Sequence, residues 1–86
     1  MSRDEAFKII VKHIEVIVEK NGIVKSWEQI EEEHHIFFYL GLDSLDMTEL
    51  IMDLEATLLI NIPDSDYENI TKVSELVTLL EKRHHE

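Results

Sequence analysis

A serine hydroxyl stands where a glycine-containing turn gives way to a helical pattern, in the run from Leu40 to Asp46. A helix N-terminus presents unpaired amides and the positive end of the helix dipole. A phosphoester on Ser44 would therefore be favoured there, despite the neighbouring carboxylates of Asp43 and Asp46. A Ser or Asp at such a point is more often an N-cap, which only closes the first turn of the helix. The residues alone leave both interpretations of Ser44 open.

The chain offers little other chemistry of the kind that enzymes use. It has no Cys, which removes thiolate nucleophiles, thiolate metal sites and disulfides, and which fits a reducing compartment. No His or Lys stands close to Ser44 in sequence to act as its base, so a catalytic serine would depend on a distant histidine. We predict that the protein is not an enzyme.

The segment from Asp64 to Glu75 raises the hypothesis of a calcium site, because its acidic residues match ligand offsets of an EF-hand loop. Asn69 replaces the glycine of the central turn, Thr71 occupies a position that is usually apolar, and Lys72 adds a positive charge. Two histidine pairs suggest a transition metal, but neither has a suitable third ligand nearby: His34-His35 and His84-His85. We predict no metal site and expect these histidines to be solvated.

The charge of the chain points to protein partners. It has 8 Lys and Arg against 19 Asp and Glu, a formal net charge of -11. Between Ser26 and Thr71 there is no Lys or Arg, while twelve carboxylates lie in that stretch. Such a field repels nucleic acid and anionic lipid and attracts basic protein surfaces. We interpret the run from Glu31 to Glu33 as an ordinary solvated run of charge.

Length and hydropathy bound the class of protein. A chain of 86 residues without a Gly/Pro-rich linker predicts a single domain, residues 1–86, and 44% apolar residues predict that it folds. The N-terminal residues form no signal sequence, and the longest apolar run, Ile36 to Gly41, is too short to span a bilayer. We expect a cytoplasmic monomer. Trp27, Phe37 and Phe38 lack the cations of a nucleic-acid stacking platform and are expected in the core.

Apolar residues recur with a helical period in three places. The first helix is predicted from about Arg3 to Lys20, between a capping-box pattern at Ser2 and Glu5 and a stop at Asn21-Gly22. The apolar positions are Phe7, Ile10, Val11, Ile14, Ile17 and Val18 in the first helix, Met47, Leu50, Ile51, Leu54 and Leu58 in the second, and Val73, Leu76, Val77 and Leu80 in the last.

The connections complete an all-α fold. A proline breaks the second helix, Asp64 or Ser65 is expected to cap a short third helix, and Thr71 is expected to cap the last one. The segment from Ile23 to Leu42 has no sustained period, so we predict a loop that folds back onto the helices, with a short helical turn near Trp27 to Glu33. The predicted fold is a four-helix bundle with three longer helices, one short helix and a long loop between the first two.

The run Leu40-Gly41-Leu42-Asp43-Ser44-Leu45-Asp46 resembles the motif of the acyl carrier proteins of fatty-acid and polyketide synthesis. Further matches follow in order and without gaps between about Ile36 and Val73: Glu49-Leu50, Met52, Ile62-Pro63-Asp64 and Ile70-Thr71-Lys72-Val73. With the first and last helices the likeness covers nearly the whole chain, and it implies the four-helix bundle of the acyl-carrier type. Peptidyl carriers are less similar, since they more often have two glycines before the Asp or His.

The resemblance implies that a separate phosphopantetheinyl transferase attaches 4′-phosphopantetheine to Ser44. The thiol of this arm would then hold acyl intermediates as thioesters and deliver them to synthase enzymes. The positions that match the family's contacts with basic partner surfaces are Asp43, Leu45, Asp46, Glu49 and Met52. The positions that match the lining of the family's acyl pocket are Ile36, Leu54, Ile62, Ile70 and Leu76.

Several residues depart from the family's pattern. Tyr39 stands where an acidic residue is usual, and Ala56-Thr57 replace an acidic pair, which bears on partner choice. Leu59 and Ile60 are apolar where polar or Gly residues are common, and Tyr67 is bulky at a usually small position close to the pocket. Together these changes suggest a specialised carrier that is loaded with a short or unusual acyl group.

A second hypothesis keeps the acidic surface and removes the arm. An unmodified adaptor would bind partner proteins through the second helix with Asp46, Glu49 and Met52, and Ser44 would then be only a cap. Modification of Ser44 separates the two hypotheses.

Overall fold

The protein, described here from a computed structural model over residues 1–84, consists of four helices. These are α1 (Arg3–Lys20), α2 (Ser44–Leu58), α3 (Asp64–Tyr67) and α4 (Val73–Arg83). The predicted all-α class, with three longer helices and one short one, is confirmed. Within the described residues the only extended pairing is an isolated bridge between His35 and Lys72.

Helix α1 begins and ends where the sequence predicts. The Ser2 hydroxyl accepts the amide of Glu5 at 3.1 Å, and the Glu5 carboxylate accepts the amide of Ser2 at 2.9 Å. This reciprocal capping box satisfies two amides that have no partner inside the helix. After the last turn Gly22 takes a φ of +65°, a left-handed conformation that side chains disfavour, and the helix stops there.

The core lies between α1 and its neighbours, because α1 packs against both α4 and α2. Each of these helices turns one apolar stripe inward, as the helical period predicts. The fully buried large side chains come from all three helices and from the long loop: Ile10, Ile14, Ile17, Ile36, Leu40, Leu50, Ile51, Leu54, Leu76, Leu80, Val73 and Val77. The two loop residues in this set, Ile36 and Leu40, show that the connection is part of the core.

Arg3 joins α1 to the long loop and to α4. Its guanidinium lies 2.6 Å from the carboxylate of Glu32 and 2.7 Å from that of Glu81, and it donates to the hydroxyl of Thr78 at 3.0 Å. The hydrogen bond to Glu32 is the main cause of a raised pKa of Arg3. The interpretation of Glu31 to Glu33 as solvated charge is therefore wrong for Glu32, which holds the loop against the bundle.

The loop between α1 and α2 is held by hydrogen bonds to both sides. The indole N–H of Trp27 donates to the carbonyl of Leu40 at 3.2 Å, and the amide of Ile36 donates to the carbonyl of Thr71 at 2.7 Å. These bonds keep buried polar groups paired. The helical turn predicted near Trp27 to Glu33 is absent. This stretch forms bends and turns instead.

Two histidines hold the loop instead of facing solvent. The Nδ1 of His34 accepts the amide of Glu31 at 2.9 Å, and the Nδ1 of His35 accepts the amides of Phe37 and Phe38 at 3.2 and 3.1 Å. The His35 ring also stacks on Phe38, with centroids 4.4 Å apart. Phe38 is 90% exposed, so its predicted place in the core is wrong. Trp27 is buried as predicted.

The last two helices are capped differently from the prediction. Pro63 precedes α3 and makes no side-chain cap, and the carboxylate of Asp64 accepts the hydroxyl of Tyr67 at 3.0 Å instead. Lys72, not Thr71, is the residue before α4. The Glu75 carboxylate accepts the amides of Thr71 and Lys72 at 2.8 and 2.9 Å, and these two bonds lower its pKa. The carbonyl of Thr71 accepts the amide of Ile36 in the long loop.

We predict that Leu59→Gly stabilises the protein by about 1 kcal/mol, because an L side chain is strained in a left-handed conformation. Leu59 follows α2 at a φ of 56° and is 90% exposed, so its side chain contributes little burial. Urea unfolding followed by circular dichroism measures the change. Leu59→Ala is the control, since it removes the side chain and keeps the strain. Equal midpoints for the two variants would contradict this explanation.

Candidate functional site

Ser44 is the first residue of α2 and is exposed. The turn before it is fixed, because the amide of the buried Leu42 donates to the carbonyl of Ile36 at 3.2 Å. Gly41 has a φ of +92°, and a Cβ there would stand 3.2 Å from Ile23 Cγ2, so this position needs glycine. Within residues 1–84 the Ser44 hydroxyl has no hydrogen-bond partner, whereas its carbonyl accepts the hydroxyl of Thr48 at 3.1 Å.

Asp43 is the N-cap of α2. Its Oδ1 accepts the amide of Asp46 at 2.9 Å, and Asp46 Oδ2 accepts the amide of Asp43 at 3.0 Å. This capping box occupies the position that the structural interpretation gave to Ser44. The interpretation of Ser44 as a cap is therefore wrong, and the hydroxyl is available to a reactant that approaches from solvent.

The start of α2 combines negative side chains with a positive helix end. Accepting the amide of Asp46 lowers the pKa of the Asp43 carboxyl, so this group is ionised at neutral pH. The unpaired amides of the first turn of α2 offset that charge locally, because they carry the positive end of the helix dipole. An anion on Ser44 would lie within this first turn.

The predicted partner-binding residues lie along α2. Leu45 and Met52 are 78% and 61% exposed, which is high for large apolar side chains. Glu49 falls between them at helical spacing, so these three residues share one face. Asp43 and Asp46 lie at the N-terminal end of that helix. The structure therefore places an exposed apolar pair among carboxylates, next to Ser44.

Two residues of α1 contact this surface, and the sequence analysis did not assign them to the site. The ammonium of Lys20 lies 2.6 Å from Glu49 Oε2, and the side-chain amide of Asn21 donates to Asp46 Oδ1 at 2.7 Å. The hydrogen bond from Lys20 is the main cause of a lowered pKa of the Glu49 carboxyl. From the sequence, both residues were predicted only to end α1, because no spacing in the sequence indicates that this end contacts α2.

The five residues predicted to line an acyl pocket are all in the core, each with an exposed fraction of 9% or less: Ile36, Leu54, Ile62, Ile70 and Leu76. They come from the long loop, α2, the connections that flank α3, and α4. Tyr67 is partly buried against this core. Burial raises the pKa of its phenol, as does the hydrogen bond to Asp64, and Thr48 and Glu55 of α2 also act on the hydroxyl.

The carboxylates of the calcium hypothesis have other partners. Asp66 forms an ion pair with Arg83, Asp64 accepts from Tyr67, and Glu75 caps α4. In the part of the chain that the structure describes, no group of three or more His, Cys, Asp or Glu is placed to hold a metal ion. His85, in the second histidine pair, lies outside the described residues.

Comparison with known proteins decides the family. Residues 15–80 match the family model described as the phosphopantetheine attachment site. The chain is 38% identical over 82 residues to an acyl carrier protein of Thermotoga maritima, which covers 95% of each chain. It is 40% identical over 72 residues to an acyl carrier protein of Chlorobium phaeobacteroides, which covers 84% of this chain and 90% of the relative. The chain belongs to the acyl carrier protein family.

The chain therefore has the phosphopantetheine attachment site of a family whose members are carriers and not catalysts. Acyl carrier proteins work with transferases and synthases, and Ser44 lies inside the matched range. No helix within residues 1–84 combines the length and the apolar composition that crossing a membrane requires. The adaptor hypothesis described Ser44 as only a cap, and the structure gives that role to Asp43 instead.

We predict that the Asp43 carboxyl titrates below the ordinary aspartate value of about 3.9. Its stabilising effect on α2 is present above that value and is lost as the pH falls through the lower value of the folded state. The chemical shift of the Asp46 amide proton measures this titration, because that proton is donated to Asp43.

Asp43→Asn is the matched control, since Asn also caps a helix but has no carboxyl group to titrate. The low-pH change at the Asp46 amide should be smaller in this variant, because the contribution of the Asp43 carboxyl is removed. A midpoint at or above the ordinary value in the unmodified sequence would contradict the role of Asp43 as an ionised cap.

Proposed function

We propose that Ser44 is the residue that carries the 4′-phosphopantetheine arm. A phosphopantetheinyl transferase would join the Ser44 oxygen to the phosphopantetheine half of coenzyme A. The pyrophosphate bond of coenzyme A breaks, adenosine 3′,5′-bisphosphate leaves, and the transferase takes the hydroxyl proton. The observation that carries this proposal is an exposed hydroxyl at the first position of α2 without a protein partner in residues 1–84.

The surroundings of Ser44 support a phosphoester. The amides of the first helical turn and the helix dipole stabilise an anion there. The arm would leave the protein surface at a fixed point, because Gly41 and the capping box of α2 hold the turn. Its terminal thiol would then hold acyl groups as thioesters and present them to one enzyme after another.

The partners that we propose are the transferase and acyl-processing synthases with basic docking surfaces. Asp43, Asp46 and Glu49 would steer such surfaces by charge, and Leu45 and Met52 would pack against them. The absence of Lys and Arg from Ser26 to Thr71 supports this charge complementarity. Fatty-acid synthesis, polyketide synthesis and a related dedicated pathway are the settings that fit. The single-domain organisation, the monomeric state and the cytoplasmic location stay predictions.

We further propose that the acyl group enters the core between α2 and α3. The pocket would be lined by Ile36, Leu54, Ile62, Ile70 and Leu76, which are already buried. Tyr67 packs against the core that contains these five residues, and its hydroxyl is bonded to Asp64 at 3.0 Å. A ring at this place reduces the depth that a chain can reach, which favours a short or unusual acyl group.

We predict that a phosphopantetheinyl transferase of broad specificity adds one phosphopantetheine to the protein in the presence of coenzyme A. Intact-mass measurement detects the addition. Ser44→Ala should stay at its original mass. Ser65→Ala is the matched control, because Ser65 is another exposed serine in the first turn of a helix, and it should still be modified. The assignment would be contradicted if Ser44→Ala gained phosphopantetheine, or if the protein with Ser44 gained none.

We predict that Tyr67→Ala admits a longer acyl chain than the unmodified protein. Both proteins are loaded with butyryl or octanoyl phosphopantetheine by the transferase, and the methyl resonances of Ile62 and Leu54 are compared. In the loaded protein that keeps Tyr67, only the butyryl group should shift these resonances. In loaded Tyr67→Ala, the octanoyl group should shift them too. Tyr67→Phe is the control, since it keeps the ring. Equal shifts with octanoyl in all three proteins would contradict a role of the ring in chain length.

A further inference from the structure

The end of α1 binds the carboxylates that a partner is expected to use. Lys20 is the last residue of α1, and its ammonium lies 2.6 Å from Glu49 Oε2. Asn21 donates to Glu49 Oε1 at 3.2 Å and to Asp46 Oδ1 at 2.7 Å. The second oxygen of Asp46 accepts the amide of Asp43 at 3.0 Å. Every carboxylate oxygen of Glu49 and Asp46 thus has a partner inside the protein.

Lys20 is well placed to hold this position. A cation at the C-terminus of a helix is favoured by the negative end of the helix dipole. Asp53, one helical turn beyond Glu49, also attracts the ammonium, and together the two carboxylates raise the pKa of Lys20. The pair is nevertheless only partly protected from solvent, with exposed fractions of 66% for the Lys20 side chain and 28% for that of Glu49. A cationic group that binds Glu49 more tightly can therefore displace the Lys20 ammonium.

We propose that Lys20 is a specificity-determining residue of the surface of α2 on which partners dock. Lys20 masks Glu49 until the basic group of a partner replaces the Lys20 ammonium. This inference rests on the proposed function, because it assumes that partners dock on α2. The contact between Lys20 and Glu49 weakens the attraction between Glu49 and every partner. It thereby favours partners with a group that binds Glu49 better than lysine does.

The chemistry of the two oxygens indicates which partners pass this selection. Glu49 presents one oxygen to an ammonium and the other to a side-chain amide. A guanidinium can replace both donors at once, because its planar fork forms two parallel hydrogen bonds to a carboxylate. A partner with an arginine opposite Glu49 is therefore favoured over one with a lysine, which would only exchange one ammonium for another.

The test compares Lys20→Met with Lys12→Met as substrates of a phosphopantetheinyl transferase. Both variants lose one positive charge from α1, so the net charge of the protein changes equally. Lys12 is exposed and has no ion pair within residues 1–84, so only Lys20→Met exposes Glu49. Initial rates at varied carrier concentration give KM and kcat. Lys20→Gln is a second variant, and circular dichroism checks that each variant is folded.

We expect the KM of Lys20→Met to fall about two- to five-fold below that of Lys12→Met, the range for a solvent-exposed ion pair, while kcat stays the same. The difference should shrink at high ionic strength, because exposed charges are screened. Equal KM values for the two methionine variants, or a change in kcat alone, would overturn the role of Lys20. If the transferase modified none of these proteins but did modify the Thermotoga maritima relative, the proposed function would be overturned, and this inference with it.

Discussion

The reciprocal hydrogen bonds between Asp43 and Asp46 are the interaction on which the functional end of the molecule depends. They close the first turn of α2 with carboxylates and backbone amides only, and so they leave the neighbouring serine hydroxyl unused. Had Ser44 been the cap, its oxygen would accept an amide and face the helix. A shift of one residue in the capping position thus separates a structural serine from one that can react.

The long loop has a comparable role for the rest of the bundle. Trp27 and Ile36 bind the loop to its own end and to the segment before α4, and Arg3 fastens its middle to α1 and α4 through Glu32 and Glu81. Together these contacts fix the position of the turn that leads into α2. Since the turn is held on several sides, the start of α2 does not depend on its own short-range hydrogen bonds alone.

The helices and the Ser44 motif could be predicted from the sequence, because helical period, capping box and glycine stop are local signals. The motif also indicated the carrier family, which the relatives confirm. The role of Glu32 could not be predicted, since the fold brings its partner Arg3 close from the other end of the sequence. His35 binds amides only two and three residues away, but no helical period marks the turn that they form. The predicted caps of the last two helices were wrong. Pro63 precedes α3 without a side-chain cap, and Lys72 precedes α4, where Glu75 accepts the amides of Thr71 and Lys72. Lys20 was missed because its partner Glu49 is distant in sequence.

Trp27 gives the molecule an optical reporter of its own. It is the only tryptophan of the chain, it is 5% exposed, and its indole N–H bonds to the carbonyl of Leu40, directly before the glycine turn. Lys25 lies over the ring, with its ammonium 4.7 Å from the centroid. Fluorescence from a single indole in this setting changes in wavelength and quenching when the loop moves away from the bundle. Events at the base of α2 can therefore be followed in real time without any attached dye.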